Sequence, residues 1–177
     1  MDLLTGLIIA AVALIFLIAL ARGRKPAKPE ALYIKRATLF TAAERSFLGV
    51  LEQAVSDQYR IFGKVRIADV ITTAKGLDNS QRTSLLNRIS MKHFDFVLCD
   101  PKTLAVVCAL ELNDSSHRSK RRAARDAFVR GVCESAWLPL LEVQAKRAYS
   151  VVEIREMVNA CSKSGAETHA DHELPET

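Results

Sequence analysis

The sequence predicts an α/β domain, a mixed central sheet flanked by helices, preceded by one N-terminal transmembrane helix. In residues 38–161, short apolar runs bounded by turn residues alternate with longer segments of helical period, while residues 3–21 form one uncharged apolar stretch. Short apolar runs favour buried strands, and an apolar stretch of roughly 20 residues favours a membrane span. The elements follow in the order helix, strand, strand, strand, basic helix, strand, helix, which is typical of a mixed sheet.

The first 21 residues are predicted to be a transmembrane anchor. Their N-terminus lacks the positive charge of a signal peptide, and residues 22–37 form a basic juxtamembrane linker with two prolines. Basic residues after a span hold that side in the cytoplasm. We therefore expect a single-pass protein of the inner (cytoplasmic) membrane whose domain faces the cytoplasm.

Local sequence signals predict each helix and strand of the domain. Thr41 and Glu44 form a capping-box pattern before an amphipathic helix, and Ser150 is an N-cap candidate for the last helix. Alternation and apolar runs predict four strands, at residues 59–71, 94–98, 104–112 and 138–143. The remaining segments are a loop or short helix in residues 72–88, a basic helix at 119–134, a helix at 150–161 and a disordered acidic tail at 162–177.

Charge and cysteine content narrow the class of protein. The net charge is +5, and residues 163–177 carry −3, which leaves +8 on the rest of the chain. A basic body indicates an acidic partner, either nucleic acid or an anionic membrane surface. The four cysteines show no C-x-x-C spacing, so we expect reduced thiols rather than a zinc site.

Residues 93–117 are the strongest candidate for a functional site. Asp95 interrupts the apolar run FDFV, Glu111 interrupts a second run, and His117 follows a polar cluster. A carboxylate inside a buried strand is unfavourable unless it is paired, protonated or bound to a metal. For Asp95 the other explanation is an ion pair with Arg88 or Lys92. Glu44 is equally explained as the partner in its capping box, and His117 as a solvated residue at a helix start.

Several runs in this order resemble one bacterial family. The runs LFTAAERSFLGVLEQAV, KVRIADVI, RISMKHFDFVLCDPKTL, ALELNDSSH, RDAF and LPLLEV are similar to domain-of-unknown-function family 2726. That family resembles the very-short-patch-repair-endonuclease-like branch of the PD-(D/E)XK nucleases. The resemblance covers about residues 38–157 and implies a restriction-endonuclease-like fold for residues 38–161.

The resemblance also implies roles for individual residues. Asp95, Glu111 and Glu44 would bind Mg²⁺, and His117 would act as general acid or base. Asn113 stands where the superfamily has a catalytic lysine; it can only orient water, unless Lys92 or Lys64 supplies a migrated ammonium. Nucleic acid would contact the basic helix through its cationic residues, Arg118, Lys120, Arg121, Arg122 and Arg125.

Two functions remain open from the sequence. The first is a membrane-anchored, magnesium-dependent nuclease-like protein that hydrolyses nucleic-acid phosphodiesters on the cytoplasmic side. The alternative is an inactive nuclease-fold module that binds nucleic acid or a protein partner at the membrane, which Asn113 favours. A membrane-surface scaffold would use the same basic residues.

Overall fold

The computed structural model describes residues 2–22, 32–113 and 120–170. Residue contacts divide the chain into two compact units, Met1–Leu39 and Phe40–Thr177. The first unit contains helix α1, Leu3–Arg22, and its large side chains Leu7, Ile15 and Phe16 are all exposed. Among the residues that the structure describes, no helix combines the length and apolar character needed to cross a membrane. The predicted transmembrane anchor is therefore not supported by the described helices.

The second unit is a mixed α/β domain. Its described residues form a four-stranded sheet in the order β1 (Arg60–Arg66), β2 (His93–Cys99), β3 (Val106–Asn113) and β4 (Leu140–Gln144). The first three strands are antiparallel neighbours, whereas β4 lies parallel to β3. A parallel neighbour requires a crossover, which here contains helix α5, Lys120–Ser135. The mixed sheet with flanking helices is as predicted.

Helices form two apolar clusters with the sheet. On one side lie α2 (Ala42–Val55) and α6 (Val151–Ala170), which contribute Phe47, Leu51 and Ile154 to a cluster with Phe96 of β2. The other cluster contains Val129 and Cys133 of α5 with residues of β2 and β3. Burial of each such side chain stabilises the folded state by roughly 1.5–3 kcal/mol. The two clusters between the helices and the sheet therefore hold the strands in position.

The elements between β1 and β2 differ from the sequence prediction. The strand predicted over residues 59–71 ends at Arg66, because Ile67–Val70 forms a short helix, α3, whose Ile67 is fully buried. The segment predicted as a loop or as a short helix near residues 84–87 contains helix α4, Asn79–Ile89, which is longer than expected and begins with a capping box between Asp78 and Gln81. The aspartate and glutamine lie at capping-box spacing, a helix-start signal in the sequence itself.

The C-terminal helix is longer than predicted. Ser150 accepts a hydrogen bond from the Glu153 N–H, so the predicted N-cap is confirmed. Helix α6 continues to Ala170, whereas disorder was predicted from residue 162 onward. Because Val158 and the half-buried Cys161 pack against the sheet, α6 is anchored well into its second half. All four cysteines are free thiols, and three of them are buried.

Candidate active site

Four ionisable side chains, one from each strand, stand at one level across the sheet. Glu111 on β3 is the register partner of Glu142 on β4. The β2–β3 pairing, continued by one residue, places Asp95 opposite Glu111. The β1–β2 pairs on either side place Lys64 opposite Asp95. We call Lys64, Asp95, Glu111 and Glu142 the cross-strand row.

Two members of the row, Glu111 and Glu142, contact arginines of helix α5. Side chains alternate along a strand, so Glu111 shares a face with Ala109, which belongs to the apolar cluster that contains residues of α5. Asp95 contacts Lys64, and its charge is near enough to raise the pKa of Glu111.

Lys64 joins two carboxylates from separate elements. Its Nζ donates to Glu44 Oε1 at 2.7 Å and to Asp95 Oδ1 at 2.8 Å. The other Asp95 oxygen accepts from the backbone N–H of Leu112 at 3.0 Å. The ion-pair partner of Asp95 is thus Lys64, and neither Arg88 nor Lys92.

The ion pairs keep these groups charged. Burial by itself raises the pKa of Glu44, but hydrogen bonds from Lys64 and Thr41 outweigh it and hold the pKa below its ordinary value. Burial by itself lowers the pKa of Lys64, but hydrogen bonds to Asp95 and Glu44 outweigh it and raise the pKa. The Lys64 ammonium is therefore fully protonated at neutral pH.

The backbone at Lys64 is strained. Its φ is +57°, a left-handed conformation that residues with a Cβ adopt at a cost of roughly 1–2 kcal/mol. This residue lies in the middle of β1, where an extended conformation is the rule. The two charge-assisted hydrogen bonds of the ammonium offset that cost, so the strain and the ion pairs belong to one arrangement.

Glu111 is the buried carboxyl of the row. The residue is 8% exposed, and its Oε1 has no hydrogen-bond partner among the described residues. Its Oε2 has a long contact of 3.5 Å with Arg125 Nη2. An unsatisfied buried oxygen is unfavourable by about 1–3 kcal/mol, so this atom is a candidate ligand or proton-transfer group.

Burial makes Glu111 hard to ionise. Desolvation raises its pKa from the ordinary value of 4.5 to about 8. The negative charges of Asp95 and Asp126 add to the effect, while the positive charges of Arg125 and Lys64 oppose it. At neutral pH the Glu111 carboxyl group is therefore mostly protonated, next to the salt bridge between Lys64 and Asp95.

The far end of the row forms a separate polar group. Asn113 donates from Nδ2 to Glu142 Oε1 at 3.1 Å, and Arg130 of α5 donates two hydrogen bonds to Glu142 Oε2, the shorter at 2.7 Å. Asn113 therefore binds Glu142, one strand away from Glu111. An amide in this position orients its neighbour and carries no charge.

The chain was compared with known proteins. A family model described as "Protein of unknown function (DUF2726)" matches residues 36–161. The chain belongs to this family. Searches of curated proteins and of solved structures found no significant match. The cross-strand row and Glu44 all lie within the DUF2726 region.

Magnesium prefers oxygen ligands and usually takes one or two carboxylates, with water and phosphate completing the shell. Asp95 and Glu111 fit that requirement, because they are cross-strand neighbours and Glu111 Oε1 lacks a partner among the described residues. Glu44 fits less well, since Lys64 and the Thr41 N–H occupy its two oxygens. In the described ranges no three His, Cys, Asp or Glu side chains converge on a metal position.

The structure thus places four of the ten predicted site residues of this DUF2726 protein close to one another: Glu44, Asp95, Glu111 and Arg125. It brings Glu44 and Asp95 together on Lys64 and leaves Asn113 on Glu142. Glu111 is the cross-strand neighbour of Asp95. Arg125 reaches Glu111. Lys120, Arg121 and Arg122 lie on α5 without described side chains, while His117 and Arg118 lie outside the described residues.

The sequence prediction left two members of the row out of the site. Lys64 was only one of two candidate ammonium groups, because register decides which lysine meets Asp95 and register is not written in the local pattern. Glu142 carried a signal that was overlooked. It is the one carboxylate within the apolar run LPLLEV, the same argument that singled out Asp95 and Glu111.

Proposed function

We propose that this DUF2726 protein is a metal-dependent hydrolase of nucleic-acid phosphodiesters, and that it belongs to the PD-(D/E)XK superfamily. The observation that carries the proposal is the pair of opposed carboxyl groups, Asp95 and buried Glu111, with the Lys64 ammonium 2.8 Å from Asp95. A helix-borne Glu44 joins them through Lys64. Carboxylates and an ammonium are the groups that phosphodiester hydrolysis requires.

Asp95 and Glu111 would hold a divalent cation, which polarises a phosphate oxygen and lowers the pKa of an attacking water. Glu111 must lose its proton to act as a ligand, so cation affinity rises as the pH approaches the Glu111 pKa of about 8.

Lys64 takes the place of the lysine that is missing at position 113. Its ammonium is held by two carboxylates at 2.7 and 2.8 Å, so it is fixed in position beside Asp95 before substrate binds. A fixed positive charge stabilises the negative charge that develops on the phosphate, without reorganising at the moment of reaction. In this proposal Asn113 has no proton-transfer role and orients Glu142.

The basic charge of the domain favours nucleic acid as the substrate. Helix α5 lies across the row and begins with KRR, and its Arg125 is half exposed beside Glu111. When cationic groups contact phosphates, the logarithm of the binding constant falls linearly with the logarithm of salt concentration. His117 remains a predicted general acid or base on the segment before α5.

The alternative is a module that keeps the fold and binds nucleic acid or a protein partner without cleaving. The Lys64 ammonium favours this reading, because it already neutralises both Glu44 and Asp95 and so competes with a cation. Lys64→Met separates the two functions. If Lys64→Met loses cleavage but still binds Mg²⁺, the result supports the hydrolase. If wild type binds nucleic acid without cleaving it and Lys64→Met binds it equally well, the result supports the module.

The deciding experiment is a cleavage assay. Purified protein is incubated with labelled single- and double-stranded DNA and RNA and with Mg²⁺ or Mn²⁺, and Asp95→Asn and Glu111→Gln are compared with wild type. We expect cleavage that needs the metal and falls at least about 100-fold in each variant. Asp69→Asn is the matched control, because Asp69 is an exposed carboxylate paired with Arg66. Equal cleavage by all four proteins would refute the assigned site.

Location at the cytoplasmic membrane remains a separate prediction from the apolar sequence of residues 1–21. Fractionation of cells that express the full-length chain tests it. Recovery in the membrane fraction after high-salt and carbonate washes supports an inserted anchor. Release into the soluble fraction refutes the anchor and leaves the proposed chemistry unaffected.

A further inference from the structure

Two basic residues near the candidate site have no carboxylate partner among the residues that the structure describes. Arg88 lies near the end of α4, and Lys92 directly precedes β2. We call Arg88 and Lys92 the cation pair. By contrast, four other cations on or near the sheet each contact a carboxylate: Lys64, Arg66, Arg125 and Arg130.

Both members of the cation pair lie against one aromatic ring. The guanidinium carbon of Arg88 is 4.7 Å from the centroid of the Phe128 ring, and Lys92 Nζ is 5.0 Å from it. A ring face attracts a cation within about 6 Å of its centroid. Phe128 belongs to α5 and packs against the apolar cluster that includes Ile89 of α4. The ring therefore joins α4 to α5 and holds two like charges beside each other.

The cation pair has hydrogen-bond donors left for a ligand. Lys92 Nζ donates to the Arg88 carbonyl at 2.5 Å, which uses one of the three N–H groups of an ammonium. The exposed Arg88 side chain has no hydrogen-bond partner within the described ranges, although a guanidinium carries several donors. Two positive charges with unused donors suit an anion that has several acceptor oxygens.

Two elements lead from the cation pair to the cross-strand row. Lys92 stands three residues before Asp95, so their Cα atoms are at most roughly 11 Å apart. On α5, Phe128 follows Arg125 by three residues and is its neighbour on the helix surface. Arg125 in turn contacts Glu111 at 3.5 Å. Each nucleotide of a strand rises by about 3.4 Å, so a nucleic acid at the row passes the cation pair within about three nucleotides.

We propose that Arg88 and Lys92, positioned by Phe128, bind backbone phosphates of the nucleic acid whose scissile phosphodiester lies at the cross-strand row. A guanidinium presents a planar fork to phosphate oxygens, and an ammonium acts as a point charge. Contacts to phosphate orient a nucleic acid but do not read its sequence. This inference rests on the proposed function and adds a second contact region to the predicted one on α5.

Salt-dependent binding tests the proposal. Full-length protein in mild detergent is titrated into a labelled oligonucleotide of mixed sequence, single-stranded or duplex, without divalent metal. Fluorescence anisotropy gives the binding constant at a series of salt concentrations, for wild type and for Arg88→Gln/Lys92→Gln. Each lost phosphate contact lowers the slope of log K against log salt by about 0.7–0.9. We expect a slope smaller by about 1–2, and affinity at about 0.1 M salt weaker by at least about 5-fold.

A matched control removes the same charge elsewhere. Arg60→Gln/Lys102→Gln changes two exposed cations at the opposite end of β2, where Arg60 pairs with Cys99. We expect wild-type affinity and slope in this control. An equal loss in the control overturns the proposal, because net charge alone would then explain the effect. Wild-type affinity and slope in Arg88→Gln/Lys92→Gln also overturns it, as does a wild-type protein that binds no nucleic acid.

A charge-preserving variant separates charge from packing. Arg88→Lys/Lys92→Arg keeps both positive charges, so we expect a wild-type slope, with circular dichroism melts to confirm that every variant is folded. A slope as small as that of Arg88→Gln/Lys92→Gln would show that altered packing causes the loss, and this overturns the proposal.

Two further readouts identify the ligand. Oligodeoxyadenosine and oligothymidine should lose affinity by the same factor in Arg88→Gln/Lys92→Gln, and a loss confined to one of them overturns a phosphate contact. Flotation with vesicles of phosphatidylcholine, with and without phosphatidylserine, should not distinguish wild type from this variant. Phosphatidylserine-dependent flotation that the variant loses, while its affinity for DNA is unchanged, overturns the proposal in favour of a lipid contact.

Failure of this inference and failure of the proposed function are separable, because the binding assay needs neither metal nor cleavage. If no metal supports cleavage but Arg88→Gln/Lys92→Gln still loses affinity and slope, the phosphate contact is supported and the hydrolase is refuted. If wild type and the variant cleave with the same KM and bind with the same Kd, the phosphate contact is refuted and the hydrolase stands.

Discussion

At the scale of single residues, two carboxyl groups of the candidate site differ in charge because their surroundings differ. Glu44 is held by the Lys64 ammonium, and its pKa is lowered despite the burial that acts against this. Glu111 is more deeply buried and has only a long contact to Arg125, so burial raises its pKa to about 8. A pair of groups with pKa values shifted in opposite directions is typical of a catalytic site.

The raised pKa of Glu111 predicts a pH-dependent stability. The folded protein holds the Glu111 proton up to about pH 8, whereas the unfolded chain releases it near pH 4.5. Stability from this group is therefore complete below pH 4.5 and is lost as the pH rises towards 8. Glu111→Gln removes this loss, so at pH 9 the variant should be more stable than wild type by a few kcal/mol, on the order expected from the shift.

Urea unfolding of the metal-free proteins at pH 5, 7 and 9 checks this expectation. Asp95, Arg125, Asp126 and Lys64 also face Glu111, and they are unchanged in the variant. Glu153→Gln is the matched control because Glu153 is exposed on α6. A constant difference between wild type and Glu111→Gln at all three pH values would contradict the raised pKa.

At the scale of elements, the start of α2 has two roles at once. Thr41 accepts from the Glu44 N–H, and Glu44 Oε2 accepts from the Thr41 N–H, which confirms the predicted capping box. The other oxygen of Glu44 accepts from Lys64. The capping-box explanation of Glu44 is therefore confirmed, while its other oxygen is taken by Lys64 and the metal-binding role stays a prediction.

Two substitutions separate these roles. Thr41→Ala removes the cap and should lower the free energy of unfolding by about 1 kcal/mol, with cleavage and binding retained. Glu44→Gln keeps a side chain that completes a capping box but removes the negative charge, so stability should change less than activity. Thermal melts and the cleavage assay are the measurements. If Glu44→Gln lowers the melting temperature as much as Thr41→Ala or more, its loss of activity comes from unfolding and not from the missing charge.

Strand β1 is shaped by a glycine beside Lys64. A Cβ on Gly63 would stand 2.2 Å from the Phe40 ring, and that ring stacks on Phe96 with centroids 5.4 Å apart. The close approach of Phe40 to the strand therefore requires glycine at this position.

Gly63→Ala should destabilise the domain by about 1–3 kcal/mol, because the ring must move away from its packed position. It should also weaken cleavage or binding, since the shift acts on the neighbouring Lys64. Gly49→Ala is the matched control, because nothing lies within 4 Å of a Cβ there. Chemical denaturation of both variants measures the difference, and equal stability would argue against tight packing at Gly63.

At the scale of the whole molecule, the core is confined to the second unit. Both apolar clusters consist of residues from Phe40 onward, and the family match begins at residue 36. The first unit carries exposed apolar side chains on helix α1. The described apolar core therefore lies within the second unit.

Deletion of residues 1–39 should therefore leave a folded domain. We expect its melting temperature to stay within a few degrees of the full-length value. Circular dichroism melts compare the two chains. A loss of cooperative unfolding on deletion would show that the first unit contributes to the core.

Much of the fold was predictable because its signals are local. The buried runs of β2 and β3, the cap of α2 and the Ser150 start of α6 depend on residues a few positions apart. The end of β1 at Arg66 was not predictable, because alternation continues through Ile67–Val70 while burial of Ile67 and pairing to β2 select a helical turn. The length of α6 depends in the same way on packing against the sheet.

The sequence by itself determined that two acidic residues interrupt apolar strands, that a basic segment follows them, and that the chain is a DUF2726 protein. Only the tertiary structure decided that Lys64 meets Glu44 and Asp95, that Asn113 binds Glu142, and that Arg88 and Lys92 lie against the Phe128 ring. The physical reason is register. Strand pairing brings together residues that are tens of positions apart, and no local pattern specifies which of several lysines stands opposite a given carboxylate.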